Sequence, residues 1–284
     1  MIFLKRKFWY IEVFIIVLFL LASYRINAFF SHNNKIPYEL THPTDKFKLP
    51  NVLDEISGIS YLEQNKLACI QDEKGIIYVF DMEKGKVTER YEVGKKNDYE
   101  DIEIVKNTAY MLQSNGTLLK IENFREENPR VKKYNTVLSH KNDAEGLSYN
   151  SESNSLLIAC KSSPYLKDKS PSLKGKRAIY AFDLDTETIS KEPAYTIDMG
   201  DVTIYPSGIA VHPRTKNIYI ISSAKRILIL LNQKGDIIGR RRLHKKIFKQ
   251  PEGICFSPQG DLFISNESRD GKANILVFRE CTIK

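Results

Sequence analysis

The stretch Asn142-Asp143-Ala144-Glu145-Gly146-Leu147-Ser148 belongs to a motif that recurs along the chain. The related stretches are Glu55-Ile56-Ser57-Gly58-Ile59-Ser60, Asp98-Tyr99-Glu100-Asp101-Ile102-Glu103, Tyr205-Pro206-Ser207-Gly208-Ile209-Ala210 and Gln250-Pro251-Glu252-Gly253-Ile254-Cys255. One aligned column, called here the motif position, reads Ser57, Glu100, Glu145, Ser207 and Glu252. The motif positions are 43, 45, 62 and 45 residues apart.

A repeat period in the low forties is typical of a β-propeller, whose blades each contain four short strands and their turns. The first repeat fits this pattern. Its apolar runs 66–70 and 76–80 alternate with the turn-like stretches 71–75 and 81–85. Strand and turn signals at this rhythm, without helical periodicity, predict an all-β radial fold.

The motif predicts five blades, but the last copy leaves only about 30 residues, enough for three strands. We therefore expect the N-terminal segment 38–49 to add the fourth strand and close the ring. The predicted blades are 50–94, 95–137, 138–200, 201–246, and 247–284 together with 38–49.

The N-terminal region has the pattern of an export signal. Lys5, Arg6 and Lys7 precede the apolar run 8–22, and the chain turns polar after it. We interpret 1–30 as a signal peptide or an uncleaved signal anchor, 31–37 as a linker and 38–284 as the propeller domain. The expected location is the cell membrane with the propeller outside the cytoplasm, or the periplasm or exterior if the signal is cleaved.

Composition excludes some classes of function. The chain has 284 residues, 42% apolar and 27% charged, with a net charge of +8, which is ordinary for a globular protein. Nucleic acid is not an expected partner, because an exported chain without an aromatic and basic stacking pattern offers no surface for it. The four cysteines have no CxxC spacing, so neither a zinc site nor a redox motif is predicted. Cys69 and Cys160 are expected to be buried thiols, and a Cys255–Cys281 bridge is possible.

Propeller geometry brings three sets of residues to one mouth of the central channel: the motif positions, the ends of the second strands, and the links between blades. The third blade also carries a loop, 161–177, rich in Ser, Pro and Lys, between its second and third strands. Any chemistry of this protein is therefore expected at this mouth.

A ring of carboxylates needs compensation, because like charges close together raise one another's pKa. Glu100, Glu145 and Glu252 are the candidate metal ligands, and calcium is the candidate cofactor because it prefers many oxygen ligands. The alternative is that each glutamate accepts hydrogen bonds from the backbone of the neighbouring blade. The glycine that follows it would then permit close approach of the two blades.

Other residues near the mouth are candidates for ligand binding: Asp143, Asn266, Arg241 and Lys161. The basic residues could attract an anionic ligand or an envelope protein, or they could form a solvated rim. His140 is a weak candidate for a general base, since it lies near Asp143 and Glu145. No G-x-S-x-G nucleophile elbow is present, so whether the protein is an enzyme stays open, with a non-enzyme favoured.

With its five motifs in this order, the chain resembles the SdiA-regulated family of exported or membrane-anchored bacterial propellers over about residues 45–281. The resemblance implies a five-bladed propeller and no established activity. The chain is also loosely similar to calcium-dependent propeller hydrolases of the phytase and lactonase type. That likeness implies a metal at the mouth held by Glu100, Glu145, Glu252 and Asn266. We therefore expect a cell-envelope propeller that binds a ligand, cation or partner at its mouth. The alternatives are a calcium-dependent hydrolase and a protein-interaction scaffold.

Overall fold

The computed structural model describes residues 14–20, 36–166, 171–200, 203–269 and 271–281. These residues form 21 strands in five antiparallel sheets. The innermost strands contact one another in a closed ring, β2 to β6, β10, β15, β19 and back to β2. The predicted five-bladed β-propeller is therefore confirmed. In chain order the strands are β1 Asp45–Lys48, β2 Ile56–Glu63, β3 Lys66–Gln71, β4 Ile76–Asp81, β5 Lys86–Glu92, β6 Tyr99–Val105, β7 Thr108–Gln113, β8 Thr117–Glu122, β9 Arg130–Asn135, β10 Ala144–Asn150, β11 Ser155–Cys160, β12 Lys176–Asp183, β13 Thr188–Ile189, β14 Tyr195–Asp198, β15 Gly208–Val211, β16 Ile218–Ser222, β17 Ile227–Leu231, β18 Ile237–Arg242, β19 Pro251–Phe256, β20 Leu262–Asn266 and β21 Asn274–Phe278.

Consecutive strands form each blade, because short turns favour antiparallel neighbours. Blade 1 contains β2 to β5, blade 2 contains β6 to β9, and blade 4 contains β15 to β18. Blade 3 contains β10 to β12, and its outer strand is divided into β13 and β14, which both pair with β12. Two short 3-10 turns, Asn51–Leu53 and Pro171–Leu173, lie outside the sheets.

The N-terminal segment closes the ring, as the strand count predicted. β1 pairs with β21 in blade 5, in a register that places Asp45 opposite Val277 and Lys48 opposite Asn274. The regular strand is shorter than the predicted segment 38–49. Ahead of it, Tyr38 forms an isolated bridge with Glu280.

The hydrophobic core lies between blades rather than within them. Five buried clusters are present in the described residues, and each is shared by two adjacent blades. Leu112 of blade 2 packs in one cluster with Ile158 of blade 3, and Leu228 of blade 4 packs with Ile264 of blade 5. Each blade therefore buries both faces of its sheet only when both neighbours are present.

The glycine after the motif position lets adjacent inner strands approach closely. A Cβ atom on Gly146 would lie 2.9 Å from the amide nitrogen of Ile209 in blade 4. A Cβ on Gly253 would lie 2.9 Å from the amide nitrogen of Ile59 in blade 1. The close approach expected from these glycines is confirmed.

The insertion in blade 3 differs slightly from the prediction of a loop over 161–177. Strand β12 begins at Lys176, so the last two residues of that range are strand, because they pair with β14. The 3-10 turn Pro171–Leu173 also lies within it. Residues 167–170 lie outside the described part of the chain.

Most of the predicted signal or anchor segment 1–30 lies outside the described residues, so that interpretation stays a prediction. Residues 14–20 are helical and exposed. Within the described residues, no helix is both long and apolar enough to cross a membrane. Cys69 and Cys160 are buried thiols, as expected, whereas the possible Cys255–Cys281 bridge is absent: Cys255 is buried and Cys281 exposed, and both are free.

Candidate ligand site at the channel mouth

A β-bulge turns most motif positions toward the channel mouth. The pairing register shifts between Ile56 and Gly58, between Tyr99 and Asp101, between Ala144 and Gly146, and between Pro251 and Ile254. The extra residue of a bulge is left out of the ladder and its side chain is redirected. The motif residue of blades 1, 2, 3 and 5 lies in each of these shifts.

The motif residues meet in a cavity of about 190 Å³ at the mouth, called here the mouth cavity. It is lined by Ile56, Ser57, Asp72, Asp98, Glu100, Glu145, Lys161, Ser207, Glu252 and Glu267. Six of these ten side chains carry a carboxyl group, and one carries an ammonium group. The structure therefore brings together the predicted metal ligands and the ends of the second strands, as the propeller geometry implied.

Lys161 is the cation that compensates this cluster most directly. Its Nζ lies 2.6 Å from Oε1 of Glu145, whose side chain is only 8% exposed. Burial acts to lower the pKa of Lys161, but Glu145 outweighs burial and leaves the pKa of the ammonium raised. Lys161 follows β11 directly, so the end of the second strand delivers this charge to the mouth.

The remaining carboxyl groups are under-compensated. Burial, followed by the charges of Glu145 and Asp98, raises the pKa of Glu100. Burial, together with Glu145 and Glu267, raises the pKa of Glu252 to about 7. Burial also raises the pKa of Glu145, although Lys161 opposes it. One ammonium group is thus shared among one buried and several partly buried carboxyl groups, and additional positive charge in the cavity would be stabilised.

Two polar atoms of blade 1 line the same cavity without a partner. The hydroxyl oxygen of Ser57 and Oδ1 of Asp72 are buried and form no hydrogen bond within the described residues. Ser57 is 9% exposed. A buried polar atom without a partner is costly, which makes both atoms candidate contacts for a ligand.

The carboxyl groups do not form a ready-made metal centre. In the part of the chain that the structure describes, no group of three or more Asp, Glu, His or Cys side chains is arranged to hold a metal ion. Calcium needs six to eight oxygens at roughly 2.3–2.6 Å. Glu100, Glu145 and Glu252 would have to move closer together to supply them.

The other predicted site residues do not line the mouth cavity. Asp143 lies beside it and accepts a hydrogen bond from the Ser162 hydroxyl at 3.0 Å. Its negative charge helps to raise the pKa of Glu145. Asn266 is buried at the end of β20, where its amide donates to the carbonyl of Ile247 and to the side chain of Asn274.

Arg241 and His140 lie elsewhere. Arg241 is on the outer strand β18, opposite Leu228. His140 is exposed in the link before β10. The ligand-binding and catalytic roles predicted for these residues stay predictions.

Hydrogen bonds between blades come from residues other than the motif glutamates. Asp101, which replaces the glycine of the other motifs, accepts the amide of Leu147 in blade 3 at 2.7 Å. Ser207 donates to the carbonyl oxygen of Pro251 in blade 5 at 3.0 Å. Asp101 and Ser207 therefore join adjacent blades, whereas Glu145, for which a backbone hydrogen bond to the next blade was the predicted alternative, binds Lys161.

A second column, three residues after the motif position, was missed by the sequence analysis. The hydroxyl of Ser60 accepts the amide of Ile104 at 3.0 Å, and the hydroxyl of Ser148 accepts that of Val211 at 3.0 Å. Glu103 accepts the amide of Tyr149 in the same way. The signal was available, since the column can be read from the repeat alignment.

This column lines a second cavity of about 330 Å³, at the other end of the channel from the mouth cavity. Burial raises the pKa of Glu103 there to about 8, although hydrogen bonds from Tyr149 and Ser60 act to lower the pKa. The channel therefore has a carboxyl-rich mouth at one end and a single carboxyl among hydroxyl groups at the other.

Comparison with known proteins identifies a family and a fold. The model of the SdiA-regulated family matches residues 36–269. No curated protein matches the sequence. Among solved structures, glutaminyl cyclase of Myxococcus xanthus is 11% identical with a TM-score of 0.60, covering 84% of this chain and 95% of that one. A luciferin-regenerating enzyme is 11% identical with a TM-score of 0.53, covering 86% and 97%. A gluconolactonase of Xanthomonas campestris is 12% identical with a TM-score of 0.50, covering 79% and 72%. At these identities the likeness shows the propeller fold alone.

Proposed function

This chain belongs to the SdiA-regulated family, and we propose that it is a binding protein that takes a positively charged ligand at the mouth of its propeller. The observation that carries the proposal is the charge imbalance of the mouth cavity, where six carboxyl groups surround one lysine. The pKa values of Glu100, Glu145 and Glu252 are raised, and a bound cation would favour their ionised forms and offset their mutual repulsion.

The basic N-terminus and the apolar run 8–22 support a place for this protein at the cell envelope, with the propeller outside the cytoplasm. The carboxyl-rich cavity would then be accessible to ions and small molecules of the exterior or periplasm. An anionic ligand or an envelope protein would bind to the basic rim rather than in the cavity, because the cavity is dominated by acidic groups.

The test is cation binding by the full-length chain. Calorimetry and thermal melting, with and without calcium chloride, guanidinium chloride at low millimolar concentration, and propylammonium chloride, cover metal and organic cations at constant ionic strength. We expect at least one of them to bind at a single site and to raise the melting temperature.

Glu252→Gln should weaken that binding about tenfold or more, since a hydrogen bond to a charged group contributes about 1.5–3 kcal/mol. Glu83→Gln is the matched control, because Glu83 is an exposed turn residue far from the mouth. If no cation binds, or if the two variants weaken binding equally, the proposed function is wrong.

The calcium-dependent hydrolase is the second candidate, and it makes a separate prediction. If calcium is the bound cation, Glu100, Glu145 and Glu252 would hold it, and it would supply a Lewis acid for hydrolysis. Hydrolysis of p-nitrophenyl phosphate or a simple lactone would then require calcium and disappear in Glu145→Gln. Binding without hydrolysis would leave a non-catalytic binding protein or a scaffold.

A further inference from the structure

An ammonium group of the protein itself, that of Lys161, already lies in the mouth cavity. The ammonium of Lys161 reaches the cavity and binds Glu145 at 2.6 Å, under the added influence of Asp143 and Glu252. The cavity thus already accommodates one –NH₃⁺ group, with carboxyl groups left over to receive another.

The uncompensated acceptors lie on the blade 1 side of the same cavity. Ser57 Oγ and Asp72 Oδ1 are buried there without partners in the described residues. Burial, followed by the negative charge of Asp72, raises the pKa of Glu267. An ammonium group offers three hydrogen-bond donors and a full positive charge, so it can satisfy a hydroxyl and two carboxyl groups at once.

A metal ion fits these acceptors less well. Ser57 and Asp72 belong to blade 1 and Glu267 to blade 5, and no three acidic side chains in the described residues are grouped tightly enough to hold an ion. The cavity, at about 190 Å³, is several times the roughly 30 Å³ that one water occupies in the liquid. The lining is almost entirely polar, since the Ile56 side chain is fully buried in the core shared by blades 5 and 1.

We infer that the ligand of the mouth cavity is a small primary ammonium compound, whose –NH₃⁺ group lies among Ser57, Asp72 and Glu252. The inference rests on the proposed cation site and specifies its chemical class. Lys161 occupies the neighbouring position on Glu145 and limits the cavity to one external ammonium.

The experiment is calorimetric titration of the full-length chain with propylammonium chloride, tetramethylammonium chloride, 1-propanol and calcium chloride. Propylammonium should bind one to one. Tetramethylammonium, which has the charge but no N–H donor, should bind at least tenfold more weakly, since hydrogen bonds to charged groups contribute about 1.5–3 kcal/mol each. 1-Propanol should not bind measurably.

Variants then locate the ammonium group. Asp72→Asn and Ser57→Ala should each weaken propylammonium binding, Asp72→Asn by about tenfold or more because it removes a charge-assisted hydrogen bond. Lys161→Met should strengthen binding, because the competing positive charge is gone while the carboxyl groups stay. Glu83→Gln should bind as the wild type does.

The outcomes separate this inference from the function on which it rests. If calcium binds and propylammonium does not, or if tetramethylammonium binds equally well, the ammonium inference is overturned and the cation site stands. If Asp72→Asn and Lys161→Met both leave propylammonium binding unchanged, while circular dichroism shows native structure, the ammonium lies elsewhere and the inference is likewise overturned. If no cation binds, both are wrong.

Discussion

Glu103, a partly buried side chain, makes the stability of the ring depend on pH. It lies at the end of the channel opposite the mouth cavity, where it accepts the amide of Tyr149 and interacts with the hydroxyl of Ser60 at 3.4 Å. Its pKa is raised from 4.5 to about 8, chiefly by burial. The folded protein therefore holds a proton on Glu103 that the unfolded chain has already released near neutral pH.

The first prediction concerns the pH dependence of stability. The raised pKa of Glu103 makes a contribution to stability that is complete below about pH 4.5 and is lost as the pH rises toward 8. Glu103→Gln keeps a neutral hydrogen-bonding side chain and removes this loss. Urea unfolding at pH 5 and pH 8 should show a smaller decrease for the variant, by about 1–3 kcal/mol, since one pKa unit corresponds to about 1.4 kcal/mol.

The control for Glu103→Gln is Glu83→Gln, in an exposed turn, which should follow the wild-type profile. Equal slopes for the wild type and Glu103→Gln would show that this carboxyl group is ionised in the folded protein at neutral pH, contrary to the prediction.

At the scale of the elements, the closing strand β1 is held in the fold by partly buried and exposed side chains only. It is only four residues long, and its side chains are largely exposed. Phe47 is the partly buried one, and it packs edge to face on Phe80 of blade 1 with ring centroids 6.2 Å apart. This one ring therefore joins the closing strand to the core shared by blades 5 and 1.

The second prediction is that Phe47→Ala weakens the closure and Lys46→Ala does not. Loss of a half-buried phenylalanine should cost about 1–3 kcal/mol, below the range for fully buried rings, and the exposed Lys46 should stay within about 0.5 kcal/mol of wild type. Thermal melting gives the stability, and hydrogen exchange at Ile275 and Val277, which face β1 in the register, locates the change. Equal effects of the two substitutions would mean that Phe47 does not anchor the strand.

The elements were largely predictable from the sequence, and the contacts within the site were not. The spacing of the motif positions predicted five blades, and counting strands in the last blade predicted its completion by segment 38–49. These features are periodic and local, so they can be read along the chain. The pairing of Lys161 with Glu145 depends instead on where a loop residue points, and strand periodicity does not encode that direction.

Asn266 and Arg241 show the same limit. Asn266 ends a strand that was predicted correctly, yet its amide faces Asn274. Arg241 was predicted to lie near the mouth, but it lies on the outer strand β18. Asp101 stands where the other four motifs have glycine. The structure shows that its carboxylate replaces close packing with a hydrogen bond to the next blade.

At the scale of the whole molecule, the clusters between blades make the ring a single cooperative unit. Each buried cluster belongs to two blades, so opening one interface exposes apolar surface on both sides. Consistent with this arrangement, ion pairs also cross between blades. Arg125 of blade 2 binds Glu63 of blade 1, with a nitrogen–oxygen distance of 3.1 Å.

The third prediction is that substitutions in distant interfaces shift one common unfolding transition. Leu112→Ala lies between blades 2 and 3, and Leu228→Ala between blades 4 and 5. Each should destabilise the protein by about 2–5 kcal/mol, as buried leucine-to-alanine changes do. Differential scanning calorimetry should give one peak in each case. The exposed Val131→Ala, on β9, is the control and should barely move it. Two separate peaks for Leu228→Ala would show that the blades unfold independently.

The pairing of β1 with β21 sets the order in which the protein can be made. The two strands join residues 45–48 to residues 274–277, so a nascent chain exposes its first strand before the partner of that strand has left the ribosome. Until residue 277 is synthesised and released, the apolar faces of the first and last blades have no common core. Ring closure therefore waits until β21 has left the ribosome. Until then, such a chain presents an unpaired strand and uncovered apolar surface to any chaperone that accompanies it.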